Sequence, residues 1–285
     1  LAYTSRMFHP TRCIIVFDGK GGATRRRKMF SDYKANRINK QTFNRYDEFR
    51  NIDEEQESMR IQSHRLVEYL DTLPITLLSI DNVEADDVIA YLTKSLAKDK
   101  VTIVSTDKDF MQLIDDRISV WRPTQKKFYS RKEILEEFEL MPENFLLYRL
   151  FEGDPSDNIP GVDGIGRKTL IKNFPELKEK EFSHQDIINI SHERIKAGNK
   201  QKFYSNIVEN ADKIELNFNL MQLQDTDISL SIKNNVRDIF DTTPPKLAEL
   251  AFKKMYLQDK FHSIFKDVDK WLRESFQELN SHAKN

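Results

Sequence analysis

The chain contains little cysteine and no long hydrophobic segment, and both absences narrow what it can be. Cys13 is the only cysteine among 285 residues, which excludes a disulfide framework. It lies in the apolar run CIIVF, which indicates a buried strand residue in a reducing compartment. No apolar run approaches the roughly 20 residues that a membrane-spanning helix needs, and no signal-like segment opens the sequence. We therefore expect a cytoplasmic protein with a sizeable buried core.

The chain also lacks a strong net charge, yet its charges are unevenly distributed. Its 45 basic and 46 acidic residues give a net charge of −1, and without eight clustered carboxylates the remainder would carry +7. Between Thr24 and Arg50, nine basic residues stand against three acidic ones, with aromatic residues interleaved. Such a stretch suits a single-stranded nucleic acid, although a solvated surface helix is an equally good interpretation of it alone. The basic residues are Arg25, Arg26, Arg27, Lys28, Lys34, Arg37, Lys40, Arg45 and Arg50, and the aromatic ones are Phe30, Tyr33, Phe43, Tyr46 and Phe49.

Strand and helix patterns alternate in the first half of the chain. Short apolar or β-branched runs predict strands at residues 12–18, 75–80, 101–105 and 118–121, and helical patterns lie at about 53–72, 84–97 and 109–115. This alternation predicts an α/β fold with a mostly parallel central sheet that is covered by helices on both faces. After about residue 140 the strand signals stop, so we expect a helical domain to follow.

Four short acidic motifs, FDGKGG, VEADD, STDKD and GDPSDN, lie where predicted strands end or helices begin. Their carboxylates are Asp18, Glu84, Asp86, Asp87, Asp107, Asp109, Asp154 and Asp157. The carboxyl ends of parallel strands share one edge of a sheet, so these groups can meet there. Two carboxylates at ~4 Å already repel by about 4 kcal/mol at a surface-like dielectric, so a cation must bind among them. Hard divalent cations suit oxygen ligands, which predicts metal-assisted phosphoryl chemistry.

Each motif alone has a simpler explanation. Helix capping could account for one or two of the three carboxylates in VEADD. Asp157 beside Pro155, and Asp18 before Gly19, could belong to ordinary turns. Four such motifs in one chain favour the metal site.

The segment GVDGIGRKT, from Gly161 to Thr169, carries three of the chain's eight glycines. A glycine loop that opens a helix lets backbone amides approach a phosphate, and Lys168 adds a positive charge. Nothing in such a loop reads base edges, so its contact with DNA would be independent of sequence. A dinucleotide-binding loop is excluded because EGDPSDNIP precedes the glycines instead of a strand. A plain helix–turn–helix connection stays open as the alternative.

In this order and spacing, FDGKG…YKANR, VEADD, STDKDF and GDPSDNIPGVDGIG resemble the motifs of the 5′-nuclease family. This family includes flap endonucleases, bacteriophage 5′→3′ exonucleases and the 5′-nuclease domain of bacterial DNA polymerase, and the matching stretch covers about residues 8–174. The resemblance implies a PIN-like α/β nuclease core at 1–142 with a basic helical arch at about 24–62. It also implies a helical DNA-binding domain at 143–285, with a helix–three-turn–helix motif at about 145–174.

The resemblance further implies a divalent-metal-dependent, structure-specific phosphodiesterase. It would act near the 5′ ends of branched DNA or RNA–DNA during replication. Members of the family begin with a strand that carries an early Asp, whereas this sequence begins with what resembles the end of a later helix. We therefore expect that the N-terminal strand and one metal ligand are missing from it. Its compact length and divergent C-terminal part favour a bacteriophage enzyme over a polymerase fragment.

The resemblance also assigns roles to residues. Asp18, Glu84, Asp86 and Asp87 would hold a first Mg²⁺, and Asp107, Asp109, Asp154 and Asp157 a second, with Mn²⁺ as a substitute. Two such ions, ~4 Å apart, can activate water and hold the scissile phosphate. Lys34 would meet that phosphate, with a generic phosphate contact as the alternative, and Arg26 matches a nearby basic position. Tyr33 would stack on a terminal base of the DNA. The other DNA-binding residues would be Arg37, Gly161, Gly164, Ile165, Gly166, Arg167 and Lys168. A K⁺ ion would bind at the helix–three-turn–helix.

Other functions and partners remain open. The chain could be a catalytically impaired relative that binds branched DNA, or a PIN-like single-strand ribonuclease, although a glycine loop that grips a duplex argues against the ribonuclease. Replication proteins such as a sliding clamp or a single-strand-binding protein are candidate partners of an expected monomer. Gln258, Phe261, Ile264 and Phe265 loosely resemble a clamp-binding peptide, but we favour an amphipathic core helix there.

Overall fold

The computed structural model describes residues 1–38, 43–225 and 227–284, so Lys40 of the basic stretch lies outside the described residues. The chain divides into two compact units. The terminal unit comprises Leu1–Asp18, Lys40–Ile80 and Asn234–Asn285, and the central unit comprises Gly19–Asn39 and Asp81–Lys233. No helix in the described ranges is both long and apolar enough to cross a bilayer. The predicted division at residue 142 separates a nuclease core from a DNA-binding domain, whereas these units are defined by compactness. It therefore stays a prediction.

Helices dominate both units. The α-helices are α1 (Ala2–Phe8), α2 (Thr24–Met29), α3 (Ala35–Ile38), α4 (Ile52–Asp71), α5 (Ala85–Tyr91), α6 (Arg131–Phe138), α7 (Phe145–Glu152), α8 (Arg167–Asn173), α9 (His184–Lys196), α10 (Lys202–Glu209), α11 (Ala211–Met221), α12 (Leu230–Asp241), α13 (Glu249–Gln258) and α14 (Val268–His282). A π-helical turn, Leu92–Leu96, continues α5, and 3-10 turns lie at Asp109–Leu113, Pro142–Asn144 and Pro175–Lys178. The strands are β1 (Ile14–Asp18), β2 (Thr76–Ile80), β3 (Val101–Val104), β4 (Ile118–Arg122), β5 (Lys127–Tyr129), β6 (Gly153–Asp154) and β7 (Ile159–Pro160).

The four strands predicted for a mostly parallel sheet pair in parallel, two in each of two small sheets. In the terminal unit, β1 and β2 are parallel, with Ile14 opposite Thr76 and Asp18 opposite Ile80. In the central unit, β3 and β4 are parallel, and β5 adds an antiparallel edge. The four predicted strands and the mixed α/β class are confirmed. Strand β5 was not predicted, because three residues are too few to show an alternating pattern.

The core of the central unit is built around α7, whose sequence FLLYRLFE is apolar on nearly every side. A helix that is apolar all round must be enclosed by other elements, and Phe145 to Phe151 are all buried. Phe145 and Phe151 are at most 1% exposed. Arg149 is the one charged residue in this buried run, so its guanidinium must find partners inside the protein.

The terminal unit has a separate core in which the end of α4 and the start of β2 pack against α13 and α14. Leu70, Ile75, Phe252 and Phe276 belong to it. Cys13 packs against this core, and burial raises the pKa of its thiol to about 11, so the thiol stays protonated at neutral pH.

The favoured interpretation of the clamp-like segment was wrong. Helix α13 ends at Gln258, and residues 261–265 form turns before α14 instead of a core helix. Phe261 and Ile264 are 41% and 59% exposed, whereas Phe265 stacks on Trp271 at 4.3 Å. Phe261 also lies against the ring of Tyr69, with centroids 6.4 Å apart, so the apolar spacing there reflects a turn held by aromatic contacts.

Candidate metal and nucleic-acid site

Three carboxylates gather at the start of α5 in the central unit. Glu84, Asp86 and Asp87 each offer an oxygen, and these oxygens lie within 4.8 Å of one another. Glu84 and Asp87 are only 4% and 2% exposed. The Glu84 side chain makes no capping hydrogen bond, although Glu84 occupies the N-cap position. Helix capping therefore does not explain this cluster, and its all-oxygen donor set suits a hard divalent cation.

Arg26 neutralises the cluster from inside. Its guanidinium, 2% exposed, forms a bidentate pair with Asp87 at 2.8 and 2.9 Å and also donates to Glu84. Its Nε donates to the carbonyl of Leu220 at 2.8 Å. Burial would lower the pKa of Arg26, but Asp86, Asp87 and Glu84 outweigh it and raise the pKa above its usual value. Arg26, predicted as a catalytic cation, is thus enclosed here as a counter-ion of the carboxylates.

Lys34 lies between the first cluster and Asp157. Its ammonium pairs with Glu84 and lies 3.7 Å from an oxygen of Asp157. The backbone of Lys34 is left-handed, with φ of 57°, and its N–H donates to the Asp157 carbonyl at 2.9 Å. Strained backbone of this kind persists only where surrounding contacts fix it. The structure therefore holds Lys34 against two of the predicted metal ligands.

The predicted stacking role of Tyr33 does not fit its position. Tyr33 is 2% exposed, and its hydroxyl lies 3.1 Å from Asp157 and 3.3 Å from Glu84. Burial, the first cause, together with these carboxylates raises its pKa above the usual value, so it remains a neutral donor. A ring enclosed in this way presents no free face to a base in this conformation.

The YKANR and GDPSDN motifs meet directly. Asn36 donates to the carbonyl of Pro155 at 2.8 Å, and Asn158 donates to the carbonyl of Asp32 at 2.9 Å. Arg37 pairs with Asp157, and its side chain is still 55% exposed. Two motifs more than a hundred residues apart thus form one surface, on which Arg37 is accessible to a ligand.

A second buried arginine, which sequence reasoning missed, organises the other carboxylates. Arg149 donates to Asp109 and Asp154, both at 2.9 Å, and to Glu152 at 2.7 Å. Burial raises the pKa of Asp109 to about 7, against the opposing effect of Arg149 and with the help of Asp107. The one available signal was a lone arginine in the otherwise apolar run FLLYRLF.

The eight predicted ligands are not equally close together. In the parts of the chain that the structure describes, no other group of three candidate ligands is as tight as Glu84, Asp86 and Asp87. The backbone N–H of Asp109 donates to the carboxylate of Asp107 at 2.8 Å, and Asp157 faces Lys34. Asp18 ends β1 in the terminal unit.

The glycines of the loop between α7 and α8 have different structural roles. A Cβ on Gly161 would lie 2.3 Å from the carbonyl of Glu152, so Gly161 is required by packing. A Cβ on Gly164, with φ of +76°, or on Gly166 would meet no atom within 4 Å. These two glycines therefore leave an open face for a ligand.

Two predicted DNA contacts in this loop are used internally. Ile165 is 3% exposed and anchors the loop in the core. Arg167 lies over the ring of Phe138 and donates to the carbonyl of Glu137 at 2.8 Å. Lys168 is exposed. In GIGRK, Ile165 is thus buried in the core and Lys168 is exposed to solvent.

The chain is similar in sequence to known proteins. A family model described as the 5′-3′ exonuclease N-terminal resolvase-like domain matches residues 1–139. A 5′-3′ exonuclease of Aquifex aeolicus is 29% identical over 272 residues, which cover 94% of this chain and 82% of that protein. A 5′-3′ exonuclease of Buchnera aphidicola subsp. Acyrthosiphon pisum is 30% identical over 227 residues, covering 78% of this chain and 72% of that protein. This chain belongs to the 5′→3′ exonuclease family.

The resemblance inferred from the motifs is confirmed, and membership makes the chain a 5′-nuclease that hydrolyses nucleic acid. It also implies a divalent metal cofactor. The solved structure of T5 5′-exonuclease with bound zinc shares the fold, with a TM-score of 0.67 and 24% identity over 84% of this chain and 87% of that one. DNA polymerase I of Bacillus subtilis is 32% identical over 193 residues, 66% of this chain, but the match spans 20% of the polymerase.

Proposed function

We propose that this 5′-nuclease is structure-specific and hydrolyses phosphodiester bonds near the 5′ ends of branched DNA or RNA–DNA during replication. The observation that carries the proposal is the cluster of Glu84, Asp86 and Asp87, three carboxylate oxygens within 4.8 Å beside the ammonium of Lys34. A fold shared with the T5 flap endonuclease solved with DNA and metal ions supports it, with a TM-score of 0.63.

The carboxylates would hold two divalent ions, with Mg²⁺ as the expected cofactor and Mn²⁺ as a substitute. Glu84, Asp86 and Asp87 would hold one ion, and Asp107, Asp109, Asp154 and Asp157 would hold the other. When bound, the ions would supply Lewis-acid polarisation of the scissile phosphate and of the attacking water. Oxygen-only donor sets favour these cations over softer metals.

The chain's own cations would have separate roles. Lys34 is positioned against Glu84 and Asp157, so its ammonium can turn to a phosphate placed at the cluster and stabilise the charge that develops there. Arg26 has no exposed surface for a phosphate and instead orients Glu84 and Asp87. Arg37 is exposed and can contact a neighbouring phosphate of the strand.

The glycine loop would grip the duplex part of the substrate. Gly164 and Gly166 leave their backbone open, and Lys168 is exposed beside them. Contacts of this kind reach only the phosphate backbone, so any sequence of the right shape would bind. The family resemblance adds a K⁺ ion at this loop.

The biological setting is part of the same proposal. The enzyme would act as a monomer on replicating DNA in the cytoplasm. The exposed Phe261 and Ile264 would offer apolar contacts to a sliding clamp or a single-strand-binding protein.

Cleavage of shaped substrates tests the proposal. The protein should cut a 5′-flap DNA in Mg²⁺, should be inactive in EDTA, and should lose most activity in Asp86→Asn while keeping its affinity for the flap in Ca²⁺. Tight binding without cleavage by the unaltered protein would instead support the impaired relative. Preferential cleavage of single-stranded RNA over flap DNA would support the ribonuclease.

A further inference from the structure

Helix α11 of the central unit contains no predicted metal ligand, yet one of its side chains holds a segment that contains two of them. Asn217 is 0% exposed, and its amide donates to the carbonyls of Leu150 and Pro160, both at 2.9 Å. One carbonyl lies before and the other at the end of the segment in which β6 pairs with β7, which we call the GDPSDN hairpin (residues 153–160). Asn217 therefore holds this hairpin at its base.

The stem of the GDPSDN hairpin is tightly packed. A Cβ on Gly153 would overlap the backbone nitrogen of Gly161, and a Cβ on Gly161 would overlap the carbonyl of Glu152. Backbones that approach each other this closely leave the stem little freedom to shift internally. A displacement of the base would therefore displace the two predicted ligands of the hairpin as well, and Asn217 is the side chain that fixes the base to α11.

The C-terminal end of α11 contacts the cation of the first carboxylate cluster. The last carbonyls of a helix have no partner within it, and here the carbonyl of Leu220 accepts from Nε of Arg26 at 2.8 Å. The partial negative charge at a helix C-terminus also favours a guanidinium. Arg26 is the enclosed counter-ion of Glu84 and Asp87. The end of α11 therefore fixes the position of the cation to which these two ligands are paired.

A third contact connects the same helix end to the STDKD motif. Gln112 is 3% exposed and lies in the 3-10 turn that begins at Asp109. Its side-chain amide donates to the carbonyl of Met221 at 3.0 Å and accepts from the N–H of Leu223 at 2.8 Å. The three acidic motifs of the central unit are thus connected, through residues beside them, to the short segment 217–223.

The ordinary explanation for Asn217 is that it only satisfies two buried carbonyls, as buried amides commonly do. Asn144 shows this plain structural role in the same unit. It is also 0% exposed, and its amide donates to the carbonyls of Leu177 and Lys180 at 2.9 and 2.7 Å. Those carbonyls belong to a segment without predicted metal ligands. The two asparagines therefore differ in what they hold, which allows stability and positioning to be tested separately.

From these contacts we propose that α11 fixes the two predicted metal sites relative to each other, with Asn217 as a positioning residue for the GDPSDN hairpin. Asn217 acts through the backbone of the hairpin and is not itself a ligand. The inference rests on the proposed function, because it assumes that the carboxylates of both sites hold metal. It gives a part in the nuclease reaction to a helix that lies beyond residue 174, outside the stretch that contains the family motifs.

Metal binding measured without DNA tests the inference. Ca²⁺ is titrated calorimetrically into the full chain, into Asn217→Leu and into the matched control Asn144→Leu. Leucine has the branched shape of asparagine but no donor, so each variant loses the hydrogen bonds of its amide. The apparent Kd for Ca²⁺ should rise about 10-fold in Asn217→Leu, since removing groups that orient metal ligands typically costs 10–100-fold. Asn144→Leu should bind Ca²⁺ like the unaltered protein.

The Mg²⁺ dependence of single-turnover flap cleavage gives a second measurement. The Mg²⁺ concentration at half-maximal rate should rise about 10-fold in Asn217→Leu and stay unchanged in Asn144→Leu. Thermal melting in EDTA should show a loss of stability in both variants, because both leave buried carbonyls without donors. If Asn217→Leu does not fold, Asn217→Ser, which keeps one donor, and Gln112→Met replace it, and each should raise the apparent Kd for Ca²⁺ above that of Asn144→Leu.

An unchanged Kd for Ca²⁺ in Asn217→Leu would overturn the proposal, as would an equal rise in Asn217→Leu and Asn144→Leu, because Asn217 would then affect stability alone. If the unaltered protein binds Ca²⁺ and cleaves the flap while the two leucine variants behave alike, only this inference is refuted. If the unaltered protein neither binds Ca²⁺ nor cleaves the flap, the proposed function fails and this inference fails with it.

Discussion

Replacing Arg149 with methionine removes a guanidinium that joins Asp109 to Asp154. Arg149 is 5% exposed, and its bonds to the two carboxylates are both 2.9 Å. Methionine keeps most of the apolar volume but leaves two carboxylates without their partner. Breaking a buried pair by removing one partner costs about 3–5 kcal/mol. We expect the upper half of that range without metal, because two carboxylates lose their counter-ion.

Urea unfolding of the central unit measures this loss. The chain has two tryptophans, so a Trp271→Phe background leaves the buried Trp121 of β4 as the reporter of the central unit. In EDTA, at a pH above the Asp109 pKa of about 7 so that this carboxyl is ionised, Arg149→Met should lower the free energy of unfolding by about 4 kcal/mol. Excess Ca²⁺ should recover part of it, since a cation at 100 times its Kd adds about 2.7 kcal/mol. The free energy of unfolding of Arg149→Lys should lie between those of Arg149→Met and the unaltered protein.

Arg131→Met is the matched control. Arg131 pairs with Glu143 at 2.5 Å and is 34% exposed, so its loss should cost at most about 1 kcal/mol and should not respond to Ca²⁺. The reasoning would be refuted if, in EDTA, the free energy of unfolding of Arg149→Met were within about 1 kcal/mol of that of the unaltered protein. It would also fail if Ca²⁺ stabilised Arg149→Met less than the unaltered protein.

Three further results are expected. Lys34→Ala should lower the single-turnover cleavage rate by about 100-fold or more, because it removes charge stabilisation made mainly in the transition state; an unchanged rate would reduce Lys34 to a binding residue. Gly166→Val adds a side chain to open space at an ordinary φ, so it should weaken duplex binding equally for unrelated sequences without unfolding the protein. Gly161→Ala should instead unfold the protein, because its Cβ would lie 2.3 Å from a carbonyl oxygen. Measurements of duplex affinity and of thermal melting separate the two outcomes. Since the folded pKa of Asp109 is raised to about 7, the native state keeps a proton between about pH 4 and pH 7 that the unfolded state has released, so stability in EDTA should fall as pH rises through this window. Asp109→Asn should reduce that dependence, to which Asp86, with its pKa also raised to about 7, contributes, and an unchanged slope in urea unfolding at several pH values would contradict the assignment.

Local patterns in the sequence predicted local structure well. β1, β2, β3 and β4 lie within two residues of their predicted positions, because each is a short run rich in apolar and β-branched residues. Of the carboxylates that the resemblance singled out, Glu84, Asp86 and Asp87 lie together.

Pairing between distant residues was beyond the same reasoning. Arg26 and Glu84 are 58 positions apart, and Arg149 and Asp109 are 40 apart, so no local period relates them. An aromatic residue in a basic stretch such as Tyr33 can point to a ligand or to the core, and its neighbours in sequence do not decide which. The base and phosphate contacts expected of such residues depend on exposure, which only the folded chain determines.

The enclosed Arg26 has a consequence for how the enzyme could be regulated. Proteins whose ligands repel one another without a metal, such as small zinc domains, unfold when the metal is removed. Here a permanent internal cation already offsets Glu84 and Asp87. Removing the divalent ions should therefore silence the enzyme while leaving its architecture standing, so that the free metal concentration can switch it on and off repeatedly without a cycle of unfolding and refolding.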